Sequence, residues 1–135
     1  MSMFEWDDRL SVGVKSIDDQ HKELVRMVNK LSDAMAQSKG PEALGQIFDG
    51  LVRYTVTHFA HEEKLMADHA YPGALGHKKQ HTDLKAQAVA LQNKAKGGGT
   101  VVTMETLHFL RDWLLHHIKG DDKTFGTFLN GKGVH

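Results

Sequence analysis

Apolar residues in the first third of the chain recur at alternating spacings of three and four, which places them on one face of a helix. Ser16 can cap the start of this helix, with Asp19 three residues later as a short variant of the capping box. Gly40 and Pro41 are expected to end it. The predicted inward face consists of Ile17, His21, Leu24, Val28, Leu31 and Met35.

Three further segments show the same helical period. The second helix is predicted from Glu42 to about His69, and a turn at residues 71–73 follows it. The third precedes a glycine loop at residues 97–99, and the fourth is expected to open at Thr100 or Thr103. The inward positions are Leu44, Phe48, Leu51, Thr55, His58, Glu62 and Leu65 in the second helix, His77, His81, Leu84, Ala88, Leu91 and Ala95 in the third, and Leu107, Leu110, Leu114 and His117 in the fourth.

The order and length of these segments predict an all-α fold. No segment alternates with period two for long enough to predict a strand. Four helices with short connections favour an antiparallel up-down four-helix bundle. We expect one domain over residues 1–135, with an irregular N-terminal arm at 1–15 and the helical bundle at 16–130. The arm can pack on the bundle through its apolar residues, which are Phe4, Trp6, Leu10, Val12 and Val14.

The charge and cysteine content narrow the range of functions. Lys and Arg together number 17, as do Asp and Glu, so no basic excess favours a nucleic acid or an anionic membrane as partner. Cysteine is absent, which excludes disulfides, thiolate metal sites and a cysteine nucleophile. The first residues do not read as a secretory signal, and no apolar run approaches the roughly 20 residues that span a bilayer. We therefore expect a cytoplasmic protein without membrane insertion.

Histidine and acidic side chains interrupt the apolar face of every predicted helix. A single inward histidine is more often a hydrogen-bonded core residue, and a pair four residues apart is more often on the surface. Here, however, four helices each direct histidine or acidic side chains into one core. Burying these side chains without a partner would cost several kcal/mol each, so the usual interpretation no longer holds. Metal ions remove that cost, so the sequence predicts a buried metal site. Its candidate ligands are His21, His58, Glu62, His77, His81 and His117, with Asp121 or Asp122 after them.

The number of candidate ligands indicates two metal ions rather than one. Pairs four residues apart are neighbours on a helix, so His58 with Glu62 and His77 with His81 can each hold a metal through two side chains. Five imidazoles and two carboxylates are too many for a single ion. Carboxylates that bridge two ions, together with imidazole nitrogens, favour iron or manganese over structural zinc.

The acid that follows His117 is ambiguous from helix geometry alone. Asp121 lies four residues on and shares its face in a regular helix. Asp122 lies five residues on, an offset of about 140° unless a π-bulge near Gly120 absorbs one residue. Inward spacings along 107–129 fit either alternative.

Four segments of the chain resemble the signature sequences of hemerythrins, most closely those of the single-domain bacterial members of that family, the bacteriohemerythrins. Seven ligand positions match in order and spacing, and the resemblance covers the whole chain, including the Trp6 arm and the turn at Tyr71 and Pro72. The family spacing selects Asp122 over Asp121. The matching segments are residues 17–24, 58–63, 77–81 and 113–118, followed by Asp122.

The resemblance implies two iron ions (Fe²⁺/Fe³⁺) with an oxo or hydroxo bridge. His77, His81 and His117 are then expected on one iron, His21 and His58 on the other, and Glu62 and Asp122 between them. The iron held by two histidines has an open position for O₂. Residues that match the wall of the family's O₂ pocket are Leu24, Phe59, Trp113 and Leu114, which on sequence alone are equally core residues.

The implied function is reversible O₂ binding, as a carrier, store or delivery protein that is not an enzyme. Two alternatives remain at this stage. One is a di-iron peroxidase, oxidase or nitric-oxide-handling enzyme, and the other is an O₂ sensor that acts through a partner protein.

Overall fold

The computed structural model describes residues 5–96 and 104–135. Helix α1 spans Lys15–Ala36, α2 spans Pro41–Asp68 and α3 spans Ala74–Lys96. Helix α4 spans Met104–His117, continues through a π-helical turn at Ile118–Asp122 and leads into α5 at Lys123–Gly131. A short 3₁₀ turn at Asp8–Leu10 lies in the N-terminal arm. The continuous α4–π–α5 segment is the fourth helix of an antiparallel four-helix bundle, and no strand occurs in the described ranges.

The predicted cap at the start of α1 is wrong. The N-cap residue is Val14, which makes no side-chain cap, so Ser16 lies inside the helix. The Ser16 hydroxyl instead lies 3.0 Å from His61 Nε2 on α2. The arm is held by Asp18, whose carboxylate accepts hydrogen bonds from the Ser11 hydroxyl (2.6 Å) and the Val12 amide (2.8 Å). Aspartate in the first turn therefore fastens the arm rather than capping the helix.

Two helices end on a residue other than glycine in the left-handed conformation. Ser38 (φ 57°) follows α1, and Ala70 (φ 50°) follows α2. At each end a backbone amide bonds back to a carbonyl five residues earlier, Lys39 to Ala34 and Tyr71 to Met66, both at 3.0 Å. This is the Schellman pattern, which satisfies the last carbonyls of the helix. It ends α1 before Gly40, where the sequence predicted the stop.

Two apolar clusters occur among the described residues, and polar side chains lie between them. The larger cluster joins α1, α2 and α4, and the smaller one joins the arm, α1, α2 and α5. Because α1, α2 and the fourth helix contribute to both clusters, their middle turns bring the polar side chains into the core. The buried members are Leu10, Leu24, Val25, Val28, Leu31, Phe48, Leu51, Val52, Leu107, Leu110, Leu114 and Ile118 in the larger cluster, and Val12, Val14, Ile17, Met66, Phe125 and Leu129 in the smaller.

Some sequence predictions fall outside the described residues. These are the packing of Phe4 in the arm, the inward side chain of Ala95, the glycine loop at 97–99 and a fourth-helix start at Thr100 or Thr103. The other predicted inward positions are buried, with five exceptions that are only partly buried: Met35, Leu44, Leu65, Ala88 and Leu91. Near the ends of α1 and α2 the neighbouring residues Ala34 and Met66 are buried instead. None of the described helices is long and apolar enough to cross a membrane.

Candidate metal centre

All seven predicted ligands lie in one buried layer of the bundle, and every helix contributes to it. Helix α1 supplies one histidine, α2 a histidine and a glutamate, α3 two histidines, and the fourth helix a histidine and an aspartate. None of them is more than 5% exposed. The set is His21, His58, Glu62, His77, His81, His117 and Asp122.

The π-helical turn decides which aspartate enters the layer. A regular helix would turn Asp122 about 140° away from His117, whereas a π turn takes up the extra residue and restores the common face. Asp122 is fully buried, and Asp121 stays partly exposed. The wider turn runs through Gly120 and is closed by the Lys123 amide, which donates to the Gly120 carbonyl. The ambiguity left by sequence spacing is resolved in favour of Asp122 as the inward acid.

The Asp122 carboxylate lies at the centre of the layer. Its Oδ2 is 2.6 Å from His21 Nε2, 2.7 Å from His117 Nε2 and 3.6 Å from His58 Nε2. Its other oxygen, Oδ1, is 2.9 Å from His77 Nε2. One carboxylate therefore faces histidines from α1, α2, α3 and α4, which is the position that a bridging ligand requires.

Glu62 on α2 faces three of these histidines and, in place of His21, His81. Its Oε1 is 3.0 Å from His81 Nε2, 3.5 Å from His117 Nε2 and 3.6 Å from His77 Nε2. Its Oε2 is 3.6 Å from His58 Nε2. The two oxygens thus point toward the two sets of histidines that the family resemblance assigns to different ions.

Among the described residues, two overlapping groups of five ligands could each hold a metal ion. Within a group, one ligand atom from each residue lies within 4.8 Å of the others. Both groups contain Glu62, His117 and Asp122. His21 and His58 complete one group, and His77 and His81 complete the other. This division matches the predicted pairing except that His117 is near enough to belong to either group.

Unpaired polar atoms support a fit to metal. Within the described part of the chain, buried atoms without a hydrogen-bond partner include both Glu62 oxygens, Asp122 Oδ1 and the Nε2 atoms of His77 and His81. Two pairs of these atoms are close, Asp122 Oδ1 with His77 Nε2 at 2.9 Å and Glu62 Oε1 with His81 Nε2 at 3.0 Å, but neither pair forms a hydrogen bond. Unpaired buried polar atoms cost about 1–3 kcal/mol each, and coordination to a cation satisfies nitrogen and oxygen lone pairs together. The donor set of imidazole and carboxylate suits iron.

Electrostatics within the layer keep both acids ionised. Burial and the Asp122 charge oppose ionisation of Glu62, but His58, His117 and His77 together lower its pKa to about 2. Burial also opposes ionisation of Asp122, and His117 is the main group that holds its pKa well below the ordinary value. The layer therefore presents two carboxylates to whatever cations balance them.

The surroundings shift the pKa of three histidines in the layer, and not all in the same direction. Burial alone would lower the pKa of His117, but Asp122 and Glu62 outweigh it and raise the value to about 10. The same acids raise the pKa of His77 to about 9 against the effect of burial. For His58 burial prevails, and its pKa falls below the ordinary value. Without metal, the imidazolium forms of His77 and His117 thus face the two carboxylates.

Two polar residues that the sequence analysis did not single out contact the outer ring nitrogens of ligand histidines. Gln20 Oε1 lies 2.7 Å from His58 Nδ1. Glu63 Oε2 lies 3.2 Å from His81 Nδ1. Each is the immediate neighbour of a ligand along the chain, since Gln20 precedes His21 and Glu63 follows Glu62. That adjacency is the only sequence signal that could have found them.

The predicted O₂-pocket residues surround the layer on one side. Leu24, Phe59 and Leu114 are buried, and Trp113 is partly buried. The Phe59 ring stacks on His81 with centroids 3.9 Å apart, and Trp113 stacks on His117 at 5.2 Å. Both aromatic rings therefore pack against histidines that were predicted for the iron without an open position. That these four side chains form an O₂ pocket stays a prediction.

A pocket leads from the surface to the same histidines. It lies between α3 and α4, measures about 210 Å³ and reaches His81 and His117. Its rim carries polar side chains, among them Gln80, Asp83 and His116, and Asp121 lies there as well. The aspartate excluded from the buried layer is thus part of the solvent-facing side of the centre.

Comparison with known proteins gives consistent results. Residues 12–129 match the model of the hemerythrin HHE cation binding domain. A bacteriohemerythrin from Methylococcus capsulatus is 37% identical over 131 residues, covering 96% of this chain and 99% of that protein. A myohemerythrin from Theromyzon tessulatum is 30% identical, covering 88% of each. The crystal structure of a wild-type hemerythrin superposes with a TM-score of 0.87 at 36% identity, covering 93% of this chain and 96% of the other.

Proposed function

The chain belongs to the hemerythrin family, and we propose that it binds O₂ reversibly at a non-haem di-iron centre, as a carrier, store or delivery protein rather than an enzyme. The observation that carries this proposal is the buried layer of five histidines and two acids, drawn from every helix of the bundle. When bound, the two irons supply the electrons that reversible O₂ binding requires.

We assign the ligands as the sequence predicted. His77, His81 and His117 would hold one iron, and His21 and His58 the other, with Glu62 and Asp122 shared between them. The central position of Asp122, within 3 Å of histidines on both sides, supports its shared role. Two histidines against three leave the iron of His21 and His58 one protein ligand short, so a small molecule can bind there.

The residues around the layer favour binding over turnover. Five neutral imidazoles and two carboxylates give a less anionic ligand set than carboxylate-rich centres, which better stabilise highly oxidised iron. Leu24 and Leu114 are both 1% exposed and belong to the larger apolar cluster. Such side chains exclude water from this side of the layer, and water exclusion slows the side reactions that end a reversible cycle.

An absorption cycle tests the proposal. Iron-loaded protein, reduced under anaerobic conditions, should gain a near-ultraviolet and visible band when O₂ is admitted and lose it under vacuum. Metal analysis should give two irons per chain. A band that never forms, or that cannot be removed, would contradict reversible binding.

His58→Ala sharpens this test. Loss of one of two histidines on the proposed open iron should abolish the reversible band while much of the fold remains, because the apolar clusters do not include this side chain. His108→Ala changes an exposed histidine and should behave like the wild type. Circular dichroism of both variants separates loss of binding from loss of fold.

The pocket beside His81 and His117 favours one alternative, an enzyme that acts on a small oxidant such as hydrogen peroxide, because the pocket gives such a molecule a path to these two histidines. Steady turnover of peroxide with a reductant, faster than the iron autoxidises, would support this alternative over the carrier.

A further inference from the structure

The contact between Gln20 and His58 joins α1 to α2 beside the metal centre. The neutral amide oxygen of Gln20 lies 2.7 Å from His58 Nδ1, close enough to accept a hydrogen bond from that nitrogen. With its proton on Nδ1, His58 presents the lone pair of Nε2 to the layer. Gln20 therefore selects the tautomer that can bind metal and fixes the plane of the ring.

Glu63 makes the corresponding contact between α2 and α3. Its Oε2 lies 3.2 Å from His81 Nδ1, and His81 Nε2 faces Glu62 Oε1 at 3.0 Å. The Glu63 side chain is 36% exposed, whereas the His81 side chain is 3% exposed. A residue beside a ligand on one helix thus orients a ligand of the next helix, as Gln20 does one helix earlier.

The two contacts differ in charge. A carboxylate that accepts a hydrogen bond from a metal-bound imidazole makes that imidazole a stronger electron donor, and a neutral amide does so less. The buried His21 Nδ1, on the same half as His58, has no hydrogen-bond partner among the described residues. The half with His77, His81 and His117 therefore has a charged outer contact, and the half with His21 and His58 has a neutral one.

We propose that Gln20 and Glu63 are positioning residues that make the two halves of the metal centre unequal. Glu63 strengthens metal binding and favours the oxidised metal at the half that contains His81. Gln20 fixes His58 in its binding tautomer without adding negative charge, which keeps the other half weaker and easier to reduce. This inference rests on the two-metal centre of the proposed function and adds the residues that distinguish its halves.

An anaerobic titration with Co²⁺, followed by visible absorption, tests the inference without O₂. The wild type should bind two Co²⁺ per chain in a tighter and a weaker step. Glu63→Gln should weaken the tighter step about tenfold, and Gln20→Glu should strengthen the weaker step by a similar factor, since outer contacts of metal ligands change affinity about 10–100-fold. In the iron-loaded protein, Glu63→Gln should raise and Gln20→Glu should lower a midpoint potential.

Matched controls carry the same charge changes elsewhere on α2. Glu42→Gln and Gln46→Glu alter exposed side chains and should leave both steps unchanged. Opposite shifts in the two test variants separate the proposal from simple damage, which would weaken binding in both. Unchanged steps and potentials in both variants, or weakening in both, would overturn the inference and leave the O₂ proposal standing. A wild type that binds no Co²⁺ would overturn both.

Discussion

The larger apolar cluster and the polar layer are equally buried and are built on the same helices, but different physical terms hold them together. In the cluster, burial of side chains such as Leu31 and Phe48 stabilises the fold by roughly 25 cal/mol per Å² of apolar surface. This contribution does not depend on a bound metal. In the layer, seven polar groups are removed from water and lose hydration that they only partly regain from each other. The cluster stabilises the fold by itself, whereas the layer depends on protons or metal to balance its charge.

Asp122→Ala should have the largest effect on the polar layer. It removes the carboxylate that faces histidines from four helices, and it leaves His77 and His117 without their closest acid. We expect loss of most bound iron. We also expect a fall of about 3–5 kcal/mol in the free energy of unfolding of the metal-free protein, as for other broken buried ion pairs.

Iron analysis and denaturant unfolding measure these two effects. Asp121→Ala is the matched control, since Asp121 is partly exposed and lines the pocket between α3 and α4, and this variant should retain iron. Equal iron content in Asp122→Ala and wild type would refute the assignment of Asp122 as a shared ligand.

Phe48→Ala should destabilise the apolar cluster without loss of iron, in contrast to Asp122→Ala. The ring is 1% exposed and contributes to packing between α1, α2 and α4, so its removal leaves a cavity. We expect the free energy of unfolding to fall by about 3–5 kcal/mol, with two irons per chain still bound to the folded protein. Iron content that falls together with stability would show that the two regions are energetically coupled.

Alkaline pH should weaken the metal-free layer and leave the cluster unaffected. The folded-state pKa values of His77 (about 9) and His117 (about 10) lie above the ordinary 6.5. Their contribution is therefore complete below pH 6.5 and is lost as the pH rises through 9 to 10. We expect chelator-treated protein to lose unfolding free energy between pH 7 and 10, at roughly 1.4 kcal/mol per pH unit for each of the two histidines until the pH reaches its folded pKa.

Iron binding should strengthen as the pH rises, whereas the metal-free layer becomes less stable. Imidazole must be neutral to bind metal, so iron loading should strengthen as the pH rises from 6 toward 8 and should release protons. Urea unfolding at a series of pH values, with and without chelator, measures both trends. Parallel pH profiles for the two preparations would contradict the charge balance described for the layer.

Gly126→Ala should have the smallest effect, confined to the smaller apolar cluster. A Cβ on this glycine would collide with the Val12 carbonyl oxygen in the arm. Since the backbone must shift to make room, we expect a loss of about 1–3 kcal/mol in unfolding free energy with iron binding retained. Gly45→Ala is the control, because a Cβ there meets nothing within 4 Å. Greater protease sensitivity near Val12 would locate the change in the arm.

Most of the fold was predictable because helical periodicity is a local property. The spacing of Leu24, Val28 and Leu31 predicts which face of α1 is buried, and the structure confirms it. Helix ends were predicted less well. Ser16 is a residue type that often caps helices, but here it lies inside α1 because the helix begins before it. Asp18 holds the arm against the start of the helix. Ser38 ends α1 in a conformation for which glycine was expected.

The sequence by itself determined the chemistry of the site: which residue types face inward, their spacing along each helix, and hence a buried set of nitrogen and oxygen ligands. Helix spacing left two adjacent aspartates as candidates, and the family resemblance selected Asp122. The tertiary structure decided how Asp122 enters the layer, through a π-helical turn that takes up one extra residue. It also decided the partners of His58 and His81, since Gln20 and Glu63 lie on other helices. Contacts between helices depend on how the bundle packs, and no local pattern in the sequence records them.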